Sequence, residues 1–198
     1  MKLFINSASP FARKVRIVVR EKGLLAQAEE FTTAPVDSHP DLTVANPISQ
    51  IPAMIDASGV CWTDSALIAA RLDAQSLVNP LLPSGGEALW AARRLEILGA
   101  GLCEMLVRMV LERRRPESEQ SSFWLKRWED NLMRGFAAGN GLCPTAGTVD
   151  LATITLAIAA TYTDFRYPHL DWRTAAPKIA ALQAELEKRP SFIDTYPK

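Results

Sequence analysis

Apolar positions change their spacing once along this chain. Up to about residue 72, short apolar runs are separated by turn residues; after residue 86 they recur every three or four positions, the period of a helix face. "KLFI" (2–5) predicts a strand, and residues 10–22 predict a helix that Gly23 closes at C′. "AEEFTTAPV" contains a second strand. "AMI" and "VCW" flank Asp56-Ala57-Ser58-Gly59, turn residues placed where a hairpin needs them. Thr63, Asp64 and Ser65 are capping residues, and a helix follows through "ALIAARL". The predicted order is strand, helix, strand, loop, hairpin, helix.

Residues 74–86, "AQSLVNPLLPSGG", lose periodicity and gather two prolines and two glycines, so a linker is placed there. Everything beyond it reads as helical. Leu89, Leu95, Leu98, Leu102, Leu106 and Met109 form the stripe of a long amphipathic helix over 87–112. The polar break "RRRPESEQSS" separates it from a helix at 123–138. A Gly/Asn/Pro loop, the apolar "LATITLAIAATYT" (151–163) and a last helix near 175–188, stopping before Pro190, complete the chain. The 151–163 stretch is too short and too rich in threonine to span a bilayer, and it predicts a helix buried on most sides. The fold class is therefore α+β, with domains at 1–75 and 87–198 joined by a linker at 76–86.

Composition narrows the functions. The 198 residues include 22 Lys+Arg and 22 Asp+Glu, so the formal charge is zero and the long-range field that attracts nucleic acid is missing. No nucleic-acid or membrane role is expected. "MKLFINSAS" lacks the apolar stretch of a signal peptide, which points to the cytoplasm. Cys61, Cys103 and Cys143 are odd in number and widely spaced, and His39 and His169 are isolated, so neither a disulfide framework nor a metal site is expected.

Four short stretches carry candidate chemistry. In "NSASPFARK", Ser9 sits at an N-cap and Pro10 at the first helical position, where the hydroxyl accepts from an orphan amide and proline has none to lose. The same place offers unpaired amides and the positive end of a helix dipole to an anion or thiolate. In Gln50-Ile51-Pro52-Ala53, a proline opens a strand: either the strand is an edge or the Ile51–Pro52 bond is cis, turning the Ile51 backbone outward. Asp64-Ser65 opens a helix, and Thr148-Val149-Asp150 opens the buried one.

Together and in this order, these stretches resemble the glutathione S-transferase superfamily over nearly the whole chain. "NPISQIPAMIDASGVCWTDSALIAARL" is similar to that family's long signature of Asn-Pro, Val/Ile-Pro and acidic-Ser followed by a helix. "SPF-x-RK", "CW-x-DS" and "TV-x-LATI" are shared with its bacterial YibF-type branch. The resemblance implies a thioredoxin-like domain followed by an all-helical one, with glutathione as co-substrate and no metal. It implies that Ser9 faces the glutathione sulfur, that Ile51 pairs its backbone with the cysteinyl part, and that Asp64 and Ser65 hold the γ-glutamyl end. Gln50 would lie near the glycyl end, and Glu104 corresponds to an acidic position that in some relatives reaches the partner subunit's glutathione. The helical domain would supply an electrophile pocket, with Phe11, Met105, Arg108 and Met109 as candidates. A homodimer and a role in detoxification follow from the same resemblance.

Departures from the family pattern are local. Gly147 stands where relatives carry Ser or Thr three residues before the aspartate, leaving Thr148 as the candidate cap of the buried helix. Arg71-Leu72 replaces the usual Tyr-Leu. Serine at position 9 disfavours mixed-disulfide chemistry, because a hydroxyl forms none; reductions in which glutathione itself attacks a disulfide or peroxide stay open. The reading is a glutathione-dependent transferase attacking a small electrophile. Its alternative is a catalytically idle fold that serves as a binding or interaction module.

Overall fold

The computed structural model describes residues 1–75, 79–144 and 147–198, so positions 76–78 of the expected linker lie outside the described residues. Two compact units emerge: Met1–Leu82 together with Arg189–Lys198, and Pro83–Lys188. The sequence reading assigned the last ten residues to the helical domain; they pack instead with the first unit.

The first unit is built on a four-stranded sheet. Its elements are β1 (Lys2–Ile5), α1 (Pro10–Glu21), β2 (Glu29–Thr32), α2 (Pro40–Ala45), β3 (Ala53–Ile55), β4 (Cys61–Thr63) and α3 (Ser65–Asp73). Strand order is β2-β1-β3-β4, with β1 and β2 parallel and both other pairings antiparallel. β3 is thus an inner strand. The Ile51–Pro52 bond before it is cis, which resolves the two alternatives for that proline. Each sheet face buries apolar residues: Phe4 and Ala53 pack with Leu42 and Ala45 of α2, while Leu3 and Met54, paired in register, belong to the opposite face, where α3 packs on β3 and α1 on α3.

Three short helices were not expected, one of them Trp172–Ala175, which precedes the helix expected near 175–188. α2 buries only Leu42 and Ala45, a single i, i+3 pair, too little to show a helical period. α9 (Pro190–Ile193) begins at the proline that was read as a stop. Proline ends one helix and suits the first position of the next, because its ring fixes a helical φ and its missing N–H is not needed there. α9 packs on α1. Arg189 donates to Glu21 at 2.9 and 2.7 Å, Ser191 donates to the same carboxylate, and the buried Arg13 donates to the Phe192 carbonyl at 3.1 Å.

The second unit comprises α4 (Gly86–Arg113), α5 (Ser122–Leu142), α6 (Leu151–Arg166), α7 (Trp172–Ala175) and α8 (Pro177–Leu186). Every residue of α6 from Leu151 to Thr163 is buried, as its apolar stretch predicts. A capping box starts it: the Asp150 carboxylate accepts from the Thr153 amide at 2.7 Å, and the Thr153 hydroxyl accepts from the Asp150 amide at 2.9 Å. Asp150 is therefore itself the N-cap, with its partner three residues ahead, so Gly147 costs the helix no cap. Asp164 ties three helices together, accepting from Trp172 (2.9 Å), Arg173 (2.7 Å) and Gln183 (2.7 Å). Among the described residues, no helix is long and apolar enough to cross a membrane.

Candidate functional site

Sheet register brings the first-unit candidates to one end of the sheet. Phe4 pairs with Ala53 and Ala53 with Thr63, so the loop leaving β1, the loop entering β3 and the turn leaving β4 emerge side by side. These carry Ser9, Gln50 with Ile51, and Asp64 with Ser65. Residues far apart in sequence share an edge because β3 runs against both neighbours.

Each position has a local cause. Asn6 follows β1, and its side-chain oxygen accepts from the Ala8 amide at 3.0 Å while its carbonyl accepts from the Ser9 amide at 3.0 Å, forming the turn that delivers Ser9 to α1. Ser9 is half-buried, and its hydroxyl oxygen accepts from the Ala12 amide at 3.2 Å. Accepting leaves the O–H proton available to a group in front of the helix. The register also leaves the Phe11 amide facing out of the helix end, and Phe11 itself is half-buried. Gln50 is exposed; its carbonyl accepts from the Asn46 side chain at 2.9 Å, which anchors the approach to the cis bond.

Asp64 has φ 69° and ψ 130°, a conformation that L residues seldom adopt. One carboxylate oxygen caps α3, accepting from the Ala66 amide at 2.8 Å and the Leu67 amide at 3.1 Å. Asp64 is an exposed residue, whereas Ser65 beside it is buried. Strained backbone of this kind persists only where its surroundings over-determine it, and it clusters at ligand-holding turns. The spot brings together a carboxylate, a hydroxyl and the Ser65 amide at the helix start.

In the second unit, the four α4 candidates have different surroundings. Met109 is fully buried and packs in the helical core; Met105 is half-buried. Glu104 and Arg108 are exposed and form an ion pair with each other one turn apart. Arg113, near the end of α4, lies over the Tyr167 ring at 5.9 Å. Burial pushes the Tyr167 hydroxyl up to about 12, so it stays protonated at neutral pH. Among the described residues, no group of three or more His, Cys, Asp or Glu is placed to hold a metal ion.

The sequence analysis gave Asn6 no role, Asp56 only a turn and Trp62 only a place in a motif. Asn directly after a strand is a turn signal that was available; the Asp56–Trp62 contact, six residues apart across a hairpin, was not.

A thioredoxin-like sheet, a serine-capped helix after its first strand, a cis-proline before an inner strand and an acidic cap at positive φ characterise the first unit, and a helical unit follows. The chain belongs to the glutathione S-transferase family. A family model for the glutathione S-transferase N-terminal domain matches residues 8–75. The chain is 30% identical over 201 aligned positions to the uncharacterized GST-like protein YibF of Escherichia coli K12, covering 100% of this chain and 98% of that one. It is also similar to a glutathione transferase family member from Pseudomonas fluorescens Pf-5, whose crystal structure has bound glutathione: 33% identity, TM-score 0.93, 100% of this chain and 98% of that one. A second structure from that organism holds S-(propanoic acid)-glutathione, with 32% identity, TM-score 0.86 and full coverage of both chains.

Proposed function

We propose that this protein binds glutathione along the shared sheet end, holds its sulfur as a thiolate and directs it at a small carbon electrophile. The observation that carries the reading is the register that gathers Ser9, Ile51 and Asp64-Ser65 at one edge. Asp64 complements the γ-glutamyl ammonium, the Ser65 hydroxyl and amide complement its carboxylate, and Ile51 offers a backbone edge to the cysteinyl part. Gln50, exposed beside them, suits the glycyl end.

A hydroxyl suffices for activation. A free thiol has a pKa of about 8.5, and lowering it by about two units takes about 2.7 kcal/mol. A hydrogen bond to a charged acceptor supplies roughly 1.5–3 kcal/mol, and the α1 N-terminus adds up to about 1 kcal/mol. Ser9 and the helix end together reach the requirement without a general base. The ligand S-(propanoic acid)-glutathione in the Pseudomonas relative is a thioether, the kind of product that attack on carbon yields, and it favours conjugation over reduction. Arg108 and Arg113 on α4 suit an electrophile that carries a carboxylate.

The reading extends to a cytoplasmic homodimer. Trp90 and Ile97, seven residues apart on α4, are 62% and 70% exposed, and Val44 and Ile48 of the first unit are each 71% exposed. Apolar side chains this open are what an isologous pairing covers. The family resemblance assigns Glu104, exposed on the same helix, to a partner's ligand. Sedimentation equilibrium at about micromolar concentration, in the affinity range of stable dimers, is expected to return twice the 21.8 kDa chain mass; the chain mass alone would overturn the dimer and any cross-subunit role of Glu104.

The central test is glutathione titration with near-ultraviolet absorbance of the bound thiolate. The protein should show thiolate at neutral pH, and Ser9→Ala should raise the pKa of the bound thiol by one unit or more, about 1.4 kcal/mol, with little change in affinity. Absorbance unchanged in Ser9→Ala would remove the serine from the chemistry. Glutathione bound without thiolate would favour the idle, binding-only fold.

A further inference from the structure

We propose that Asp56, Trp62 and Arg71 form a clamp that positions Asp64 and Ser65 for the γ-glutamyl end of glutathione. This rests on the glutathione reading above and adds three residues to it.

Trp62 lies on β4, two residues before the strained Asp64. β4 has three residues and is paired on one side only, to β3. A strand so short at a sheet edge holds its turn weakly unless side chains brace it. The Trp62 indole N–H donates to the Asp56 carboxylate at 2.9 Å across the hairpin. The other Asp56 oxygen accepts from the Ser58 amide at 2.9 Å and the Val60 amide at 3.0 Å, so one carboxylate organises the whole 56–62 turn. Arg71, in the last turn of α3, places its guanidinium 5.1 Å from the Trp62 ring centroid, within cation–π range. The indole hydrogen bond first, with the turn amides and the Arg71 charge, holds the Asp56 carboxyl below its usual range.

The ring thus touches the hairpin on one side and the far end of α3 on the other. Asp64 and Ser65 form the corner between those two arms, and bracing both arms fixes the corner's angle. That is what a residue at φ 69° requires. Arg71 also accounts for a departure from the family pattern, since a guanidinium at that position has the tryptophan of "CW-x-DS" to stack on.

Trp62→Phe keeps a ring for Arg71 and removes the N–H, Arg71→Leu removes the charge at an exposed position, and Arg71→Lys keeps a cation. Calorimetric titration with glutathione is expected to show affinity about threefold to tenfold weaker for Trp62→Phe and Arg71→Leu, and within about twofold of the unsubstituted protein for Arg71→Lys. The pKa of the bound thiol at saturation should be unchanged in all three, because Ser9 stands on a different element. Unchanged affinity in Trp62→Phe and Arg71→Leu overturns the clamp alone. So does a loss of binding that only tracks the folded fraction measured by circular dichroism. Failure of the unsubstituted protein to take up glutathione overturns the glutathione reading, and the clamp with it.

Discussion

A serine at an N-cap accepts one hydrogen bond through a lone pair and keeps its proton to give, and Ser9 has that arrangement toward Ala12. Asp64 caps α3 through one oxygen, which accepts from both the Ala66 and Leu67 amides, and the residue is otherwise exposed. Capping and ligand charge are therefore separable by substitution. Asn caps about as well as Asp and tolerates positive φ, so Asp64→Asn should leave the melting midpoint nearly unchanged, within about 0.5 kcal/mol. In the proposed binding mode it removes the charge that faces the γ-glutamyl ammonium, and affinity for glutathione should fall about tenfold or more, some 1.4 kcal/mol. Equal affinity by calorimetry would take Asp64 out of the site. Helix-start chemistry at residues 9, 64 and 65 was legible in the sequence because capping depends on neighbours within three positions. The Trp62–Asp56 bond was not, because a hairpin turn had to close before the two groups met.

Among the elements, α4 and α6 approach closely at one glycine. A Cβ built on Gly99 meets the Thr155 Cγ2 at 3.1 Å and the Leu156 backbone nitrogen at 3.2 Å. The backbone atom cannot swing aside as a side chain does. Alanine gains about 1 kcal/mol of helix propensity over glycine, while overpacking a well-filled contact costs typically about 1–3 kcal/mol. Gly99→Ala should therefore lower the stability of the helical unit by about 1 kcal/mol, read as a reduced denaturation midpoint. An equal or higher midpoint would show that the α4–α6 contact yields. The long elements were readable because α4 repeats its apolar period over several turns and α6 is a continuous apolar stretch of helical length. α2, α7 and α9 were missed because helices of six and four residues have no period to show. The capping box of α6 was sought with Asp150 at the third helical position, whereas Thr153 holds that position and Asp150 is the cap.

At the scale of the whole molecule, the chain does not end in the unit where its last long helix lies. Arg189–Lys198 return to the first unit, and their docking depends on charge. Burial raises the Glu21 carboxyl, but hydrogen bonds from Arg189 and Ser191, with the Arg189 charge, outweigh it and bring it below the ordinary value. A carboxyl lowered by folding contributes stability that is complete above its unfolded pKa, about 4.3, and is lost as pH falls through the folded value. Glu21→Gln should thus lower the urea midpoint at about pH 7, by a gap that narrows as the pH falls below about 4.3. A gap that stays the same size as the pH falls would remove Glu21 from the acid response.

By itself, the sequence determined what short-range physics determines: the helix starts at Ser9 and Asp64, the strands "KLFI" and "AMI", the long stripe of α4, the buried α6, and the switch from sheet to helices near residue 80. Propensity, capping and periodicity act over one to four residues, so they are written in consecutive letters. Its resemblance to a family added, as a long motif, the roles those letters take together. Only the tertiary structure decided that Ile51–Pro52 is cis before an inner strand, that three separated loops share one sheet end, that Trp62 bridges Asp56 and Arg71, and that the last ten residues return to α1. Each of these is a contact between positions whose separation carries no local signal, and it exists only once the strands have paired and the helices have packed.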